Sequence, residues 1–194
     1  SRNIWDIIYI NFIFTTMNWI DTHTHLYLEE FKLDLDQVIQ KATENGLVNV
    51  LLPNIDVCSI PEVDAMCHNY PEIARGMMGL HPCSVNENYL HDLDIIGKKL
   101  YSNTYIGVGE VGLDLYWDKT NFEIQKQAFI TQINWAKELK LPLSIHTREA
   151  TTEALQIIEA LQDGNIMGVF HCFGGSVEEA RRVSDLGMYL GLGG

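Results

Sequence analysis

The segment Asp21-Thr22-His23-Thr24-His25 closes the first strand-like run of the chain, and its residue types suit a divalent cation. On a strand, residues two apart point to the same side, so Asp21, His23 and His25 are expected to share one face. Two imidazoles placed that way chelate a metal, and the carboxylate behind them can orient a ring. A lone His-x-His is a weak signal. It gains weight from His81, Glu110, His146 and His171, each expected to end its own strand-like run.

Glu110 lies within Gly107-Val108-Gly109-Glu110-Val111-Gly112-Leu113-Asp114, flanked by apolar residues and by glycines that let other backbone approach. A carboxylate in such surroundings is costly to bury unless it is paired or binds a cation. His146 in Leu143-Ser144-Ile145-His146-Thr147-Arg148 and His171 in Gly168-Val169-Phe170-His171-Cys172 end buried runs in the same way. Each histidine alone would fit a hydrogen-bonded core role; together with Glu110 on one rim they point to metal. The economical arrangement is two cations bridged by Glu110, with His23 and His25 on one and His146 and His171 on the other. Two closely spaced cations activate water and stabilise both oxygens of an in-line displacement, so the implied chemistry is hydrolysis of a phosphoester or amide.

The elements that must position these groups alternate. Strand-like runs are expected at Trp19–His25, Val48–Leu52, Arg75–Leu80, Tyr105–Val111, Leu143–His146, Met167–His171 and Met188–Leu190. Helical spacing separates them: Leu35, Val38, Ile39 and Ala42 up to a stop at Asn45-Gly46, then a helix opened by Ser59 with Glu62. Further helices are expected at Tyr89–Leu100, from Thr120 with Glu123 to about Lys140, at Thr152–Leu161, and from Ser176 with Glu179 onward. Seven strands and six helices in alternation imply an α/β fold with a parallel sheet. An open doubly wound sheet would spread the histidines over several strand spacings, whereas a TIM (β/α)8-type barrel gathers strand ends on one face. The barrel is the expected fold. About seven of its eight strands are visible, so it is expected to be C-terminally truncated after Gly191-Leu192-Gly193-Gly194, with exposed sheet edges.

The chain has 194 residues, is 46% hydrophobic and carries a formal net charge of −13. That suits one sizeable core and argues against a broad basic nucleic-acid patch or an anionic membrane surface, although bound cations would invert the local field. Cys58, Cys67, Cys83 and Cys172 lack paired spacing and are expected as reduced thiols in a cytoplasmic protein. The apolar stretch Ile4–Phe14 is too short to span a bilayer and lacks a signal-peptide pattern. Residues 1–16 are expected to lie outside the functional fold, with residues 17–194 forming the hydrolase domain.

Five strings together, Asp21-x-His23-x-His25, Gly79-Leu80-His81-Pro82, Gly109-Glu110-Val111-Gly112-Leu113-Asp114, Ile145-His146-Thr147-Arg148-Glu149-Ala150 and His171-Cys172-Phe173-Gly174-Gly175, resemble the TatD family of metal-dependent deoxyribonucleases. They occur in that family's order and spacing, from about Trp19 onward. The resemblance implies a TIM barrel of the metallo-dependent hydrolase superfamily. It also implies divalent-metal-dependent DNA hydrolysis, often 3′–5′ exonucleolytic, on substrates that include single strands. It makes His23, His25, Glu110, His146 and His171 metal ligands, with Mg2+ or Mn2+ the leading ions and Zn2+ allowed. His81 and Arg148 are placed near the substrate phosphate, making Glu110, His81 and Arg148 the catalytic candidates. The family's last ligand is an aspartate in a Glu-Thr-Asp string on strand eight, which this sequence does not contain.

Arg148 is planar and permanently charged, suited to a phosphate. Tyr116 and Trp117 follow strand four on the active face and are candidates to stack a base. Cys172 is expected to turn away from the barrel interior, and His68 and His91 to sit on outer helix faces. Two other readings compete with the nuclease. One is an amide or lactone hydrolase of the same superfamily; against it, a glutamate stands where many amidohydrolases carry a modified lysine. The other is an inactive fragment that keeps a partial metal site. No membrane association or obligate protein partner is expected.

Overall fold

A computed structural model describes residues 18–102 and 105–193. Residues 1–16, expected to lie outside the functional fold, are outside this described range. Seven strands alternate with six α-helices among the described residues: β1 Trp19–Asp21, α1 Leu35–Glu44, β2 Leu47–Pro53, α2 Ile60–Asn69, β3 Ala74–Met77, α3 Tyr89–Ser102 and β4 Val108–Asp114. There follow α4 Phe122–Leu139, β5 Leu143–Arg148, α5 Thr151–Leu161, β6 Gly168–Phe170, α6 Val177–Asp185 and β7 Tyr189–Leu190. Every strand pairing is parallel and joins chain neighbours, in the orders β1-β2-β3 and β4-β5-β6-β7.

The two sheets meet without a regular ladder. Gly109 N donates to Met78 O (3.1 Å), Met78 N to Gly107 O (3.2 Å) and Ile106 N to Gly76 O (3.0 Å). Asn54, fully buried at the end of β2, completes the joint. Its N–H donates to Met77 O (3.2 Å) and Gly109 O (3.0 Å), its carbonyl accepts from Glu110 N (2.9 Å), and its amide donates to Gly79 O (2.8 Å). This one side chain and its peptide satisfy backbone that an interrupted sheet would orphan. The peptide between Gly109 and Glu110 is cis.

The strand order never reverses, as in a barrel, and the sheet is curled. On a flat sheet, β1 and β6 would stand about 24 Å apart at ~4.8 Å per strand. Yet the His23 and His171 rings that follow these strands stack with centroids 3.7 Å apart. β1 and β7 are not paired with each other, and their apolar side chains stay exposed, Tyr189 at 74% and Ile20 at 52%. β4, at the middle of the curl, is buried at every residue. The main core lies between the second sheet and α3, α4 and α5, around Phe129, Ile133, Leu155 and Phe170. A smaller cluster under the first sheet is built on Leu52, Val50 and Val63.

Several expectations change. The chain turns after Asp21, so His23 and His25 lie beyond β1 and not on it. His81 and His171 likewise follow β3 and β6 in irregular backbone, and Glu110 and His146 sit inside β4 and β5, not at their ends. Of three expected capping boxes, only Ser176 with Glu179 forms. Ser59 Oγ instead donates to Asn54 Oδ1 (2.9 Å), and Thr120 donates to Asp118 Oδ1 from its N–H (2.8 Å) and its Oγ1 (2.6 Å). In both cases a neighbouring side-chain oxygen wins the hydroxyl from the helix terminus.

Gly112 sits where β4 runs closest to β5. Its φ is +140°, and a Cβ there would lie 2.0 Å from His146 O. Gly112→Ala is therefore expected to destabilise the chain by about 2–3 kcal/mol, through overpacking and an unfavourable backbone conformation. Urea unfolding measures this; a midpoint equal to the parent's would contradict it.

Candidate metal centre

The centre grows from Glu110, which is 3% exposed. Five imidazoles surround its carboxylate. His23 Nε2 and His25 Nε2 lie 3.2 and 3.3 Å from Oε2. His81 Nε2, His146 Nδ1 and His171 Nε2 lie 3.3, 3.1 and 2.6 Å from Oε1. Burial alone would push the Glu110 pKa up. The hydrogen bonds from His146, His171, His23 and His25 outweigh it and hold the carboxyl far below the usual range. His23 is lowered, burial outweighing its bond to Glu110. His146 is raised, because Glu110 and Asp114 together outweigh the burial that would lower it.

Neighbouring groups fix four of the five rings. His23 Nδ1 meets Ser144 Oγ at 3.1 Å, and His25 Nδ1 meets Tyr27 Oη at 2.8 Å. Tyr27 in turn donates to Pro53 O (2.6 Å). His81 Nδ1 accepts from Cys83 N (3.0 Å), and His146 Nε2 meets Asp114 Oδ2 at 2.9 Å. In each case one ring nitrogen is engaged, leaving the other for Glu110 or a cation, the arrangement by which outer partners orient metal ligands. Asp21, expected to orient a ring, does not: its Oδ1 accepts from the His23 backbone N–H (3.1 Å) and fixes the turn. The ring-orienting carboxylate is Asp114.

The histidines that the sequence reading placed as ligands all converge on Glu110, but their grouping differs from the expected one. The geometry forms one group from His23, Glu110 and His171, and another from His81, Glu110 and His146. His81, expected beside the phosphate, is thus also within ligand distance. Two acceptor-rich groups sharing one buried carboxylate fit a pair of cations. Imidazole nitrogens with one carboxylate suit Zn2+ or Mn2+ better than Mg2+.

Two glutamines that the sequence reading missed hold the backbone after β3 and the end of β4. Gln132 Oε1 accepts from Leu80 N (2.7 Å) and its amide donates to Leu80 O (3.2 Å), just before His81. Gln125 treats Asp114 identically, accepting from its N (2.9 Å) and donating to its O (3.1 Å). They lie seven residues apart on one face of α4, in an otherwise apolar stripe with Ala128, Phe129 and Ile133. Polar residues on that stripe were the available signal.

Arg148 ends β5 at the rim, its guanidinium 3.7 Å from the Tyr116 ring centroid and 5.4 Å from that of Trp117. Both aromatics are exposed, Tyr116 at 47% and Trp117 at 70%, and they meet edge to face with centroids 4.8 Å apart. Arg148 shares a cavity with His146, His171 and Cys172. Cys172 is exposed, with φ 44°, and lines that cavity. The expected inward–outward alternation fails because β6 stops at Phe170. All four cysteines are free thiols, and burial with Asp114 alongside pushes Cys83 up to about 12. His68 and His91 are exposed on helices, as expected. No helix among the described residues is long and apolar enough to cross a membrane.

Residues 20–194 match the model of a family described as TatD related DNase. An uncharacterized metal-dependent hydrolase of Bacillus subtilis, YabD, is 34% identical over 90% of this chain and 68% of its own length. A 3′-5′ ssDNA/RNA exonuclease TatD of Citrobacter rodentium is 26% identical over 90% of the chain and 66% of its own length. The crystal structure of YJJV, a TatD homolog from Escherichia coli, superposes with a TM-score of 0.82 at 28% identity, covering 89% of this chain and 66% of that one. The chain thus spans about two thirds of the length of these relatives.

Proposed function

Because the chain belongs to the TatD related DNase family, a family of metal-dependent hydrolases, we propose that its metal centre hydrolyses phosphodiester bonds of DNA, single strands included, from the 3′ end. The observation that carries this reading is the buried Glu110 carboxylate with five imidazoles within 3.3 Å. His23 and His171 would hold one cation and His81 and His146 the other, with Glu110 common to both and His25 completing the donor set. Bound there, two cations supply an activated water and stabilise the charge that develops on the leaving oxygen. Ser144, Tyr27 and Asp114 keep the rings aimed. Arg148 offers a fork of donors to the phosphate, and its stacking on Tyr116 and Trp117 sets the plane of that fork. Trp117, 70% exposed, is available to stack a terminal base.

Two measurements test this. Elemental analysis after Mn2+ or Zn2+ loading and desalting is expected to give about two ions per chain. Activity is then compared on 5′-labelled single-stranded DNA and on a panel of amides and lactones, using this chain and a form extended to the length of its relatives. Cleavage of the panel but not of DNA would favour the amidohydrolase reading. Bound metal with no turnover on any substrate would favour a binding role.

Arg148 gives a separate prediction. Arg148→Ala is expected to raise KM for DNA by about 10- to 100-fold, the loss of one charge-assisted bidentate contact, with metal content unchanged. Arg148→Lys keeps the charge but not the fork or the aromatic stacking, so it recovers only part of that loss. Steady-state kinetics at fixed ionic strength decide it; unchanged KM in both variants would remove Arg148 from the substrate site.

A further inference from the structure

We propose that Asp114 is a positioning residue that couples the metal centre to the substrate rim, one carboxylate oxygen serving each. The metal half of this inference rests on the reading above. Asp114 is 1% exposed at the C-terminal end of β4, and its peptide is clamped on both polar atoms by Gln125. Its backbone is therefore held by α4 and β4, which leaves rotation of the carboxylate as its remaining freedom. From there Oδ2 takes His146 Nε2 at 2.9 Å, while Oδ1 accepts from Tyr116 N at 2.9 Å and from Trp117 N at 3.2 Å.

The two halves face different tasks. On the Oδ2 side, a hydrogen bond at Nε2 fixes the His146 tautomer and leaves Nδ1, 3.1 Å from Glu110 Oε1, as the ligand nitrogen. On the Oδ1 side, the two N–H bonds fold the segment after β4 so that Tyr116 and Trp117 come up against Arg148. Arg148 is also the register partner of Asp114 in the β4–β5 ladder, and its carbonyl accepts from Leu115 N at 2.9 Å. Because both oxygens belong to one carboxylate, a rotation of that group following the His146 ring on cation binding would also move the Tyr116 and Trp117 N–H groups, and with them the aromatic pair against the rim arginine. An aspartate that only capped the turn would not need His146, and one that only oriented His146 would not need the turn.

Asp114→Asn and Asp114→Ala separate the halves. Asparagine keeps an oxygen for the Tyr116 and Trp117 N–H groups but cannot present a second carboxylate oxygen to His146; alanine removes both. The probes are Zn2+ binding by calorimetry and the emission and anisotropy of Trp117, taken as the difference from the same chain carrying Trp117→Phe. Zn2+ is chosen because its closed d shell does not itself quench tryptophan.

Both variants are expected to weaken Zn2+ binding by 10- to 100-fold. In the metal-free chain, Asp114→Ala is expected to lower Trp117 anisotropy while Asp114→Asn leaves it near the parent value. Zn2+ should shift Trp117 emission in the parent, and that response should be lost in Asp114→Ala. Zn2+ affinity within twofold of the parent in both variants overturns the metal half. Trp117 anisotropy unchanged by Asp114→Ala overturns the rim half. Zn2+ binding in the parent that leaves Trp117 emission unmoved overturns the coupling. The metal-free anisotropy comparison needs neither cation nor substrate, so its failure is distinct from a failure of the nuclease reading. Were Asp114→Ala not to fold, Asp114→Asn alone decides the metal half, and parent Trp117 emission with and without Zn2+ decides the coupling.

Discussion

Replacing Glu110 by glutamine is expected to abolish metal-dependent DNA cleavage, a loss of at least three orders of magnitude, or about 4 kcal/mol at 1.36 kcal/mol per tenfold. The substitution keeps the volume and removes one charge. Five imidazole nitrogens now converge on that charge from within 3.3 Å. An amide at the same place offers one acceptor oxygen and an NH2 group aimed at ligand nitrogens that are themselves lone-pair donors when a cation is to bind. Both candidate groups, His23–Glu110–His171 and His81–Glu110–His146, lose the same member. Metal content should therefore fall for both ions together, not for one alone. Elemental analysis beside the cleavage assay checks this. Near-normal turnover in Glu110→Gln would sink the shared-carboxylate assignment, and loss of only one ion would place Glu110 on a single cation.

Cation binding itself is expected to stabilise the chain strongly and in a pH-dependent way. At a free concentration 100 to 1,000 times Kd, the gain is about 2.7–4.1 kcal/mol, read as a rise in Tm. The pH direction follows from His146, whose pKa in the metal-free fold is raised, burial being outweighed by Glu110 and Asp114. In the metal-free chain the His146 contribution to stability is fully present below its ordinary value of 6.5 and is lost as pH rises through the raised folded value. A cation must displace that proton, so its affinity runs the other way, strengthening as pH rises and weakening as pH falls through the same value. Each proton displaced costs up to tenfold in affinity per pH unit.

His23 adds little to this trend, because burial already favours its neutral form. Glu110, held far below the usual carboxylate range, stays charged throughout. Mn2+ affinity is accordingly expected to fall at least tenfold between pH 8 and pH 6, with proton release on binding visible as a buffer-dependent heat. A flat profile, or one rising toward acid pH, would contradict the assignment of His146 as a ligand.

Periodicity and residue type by themselves determined the strand–helix order, the parallel sheet and the six residues that meet at the centre. Those signals are local: an apolar run of five, a helical stripe, a histidine or glutamate next to five of the seven runs. They also carried the family, because the five strings are contiguous in sequence. Only the tertiary structure decided which side chain faces which. His23 stacks on His171, 148 residues later, and is grouped with it and not with its neighbour His25. That outcome depends on how far the sheet curls between β1 and β6, a sum of strand twists and helix packings that no local pattern encodes.

The same limit explains the exchange of roles between the two aspartates. Asp21 and Asp114 both end strands beside histidine-bearing segments. The chain turns at once after Asp21, so its carboxylate is spent on the His23 N–H, whereas Asp114 is gripped by Gln125 and reaches His146 on the adjacent strand. The partners of Asn54, Gln125 and Gln132 were invisible for a related reason. A buried polar side chain in an apolar setting announces only that it must be satisfied; its partners, here the backbone of Gly79, Leu80 and Asp114, become known only when the backbone that needs them has been placed.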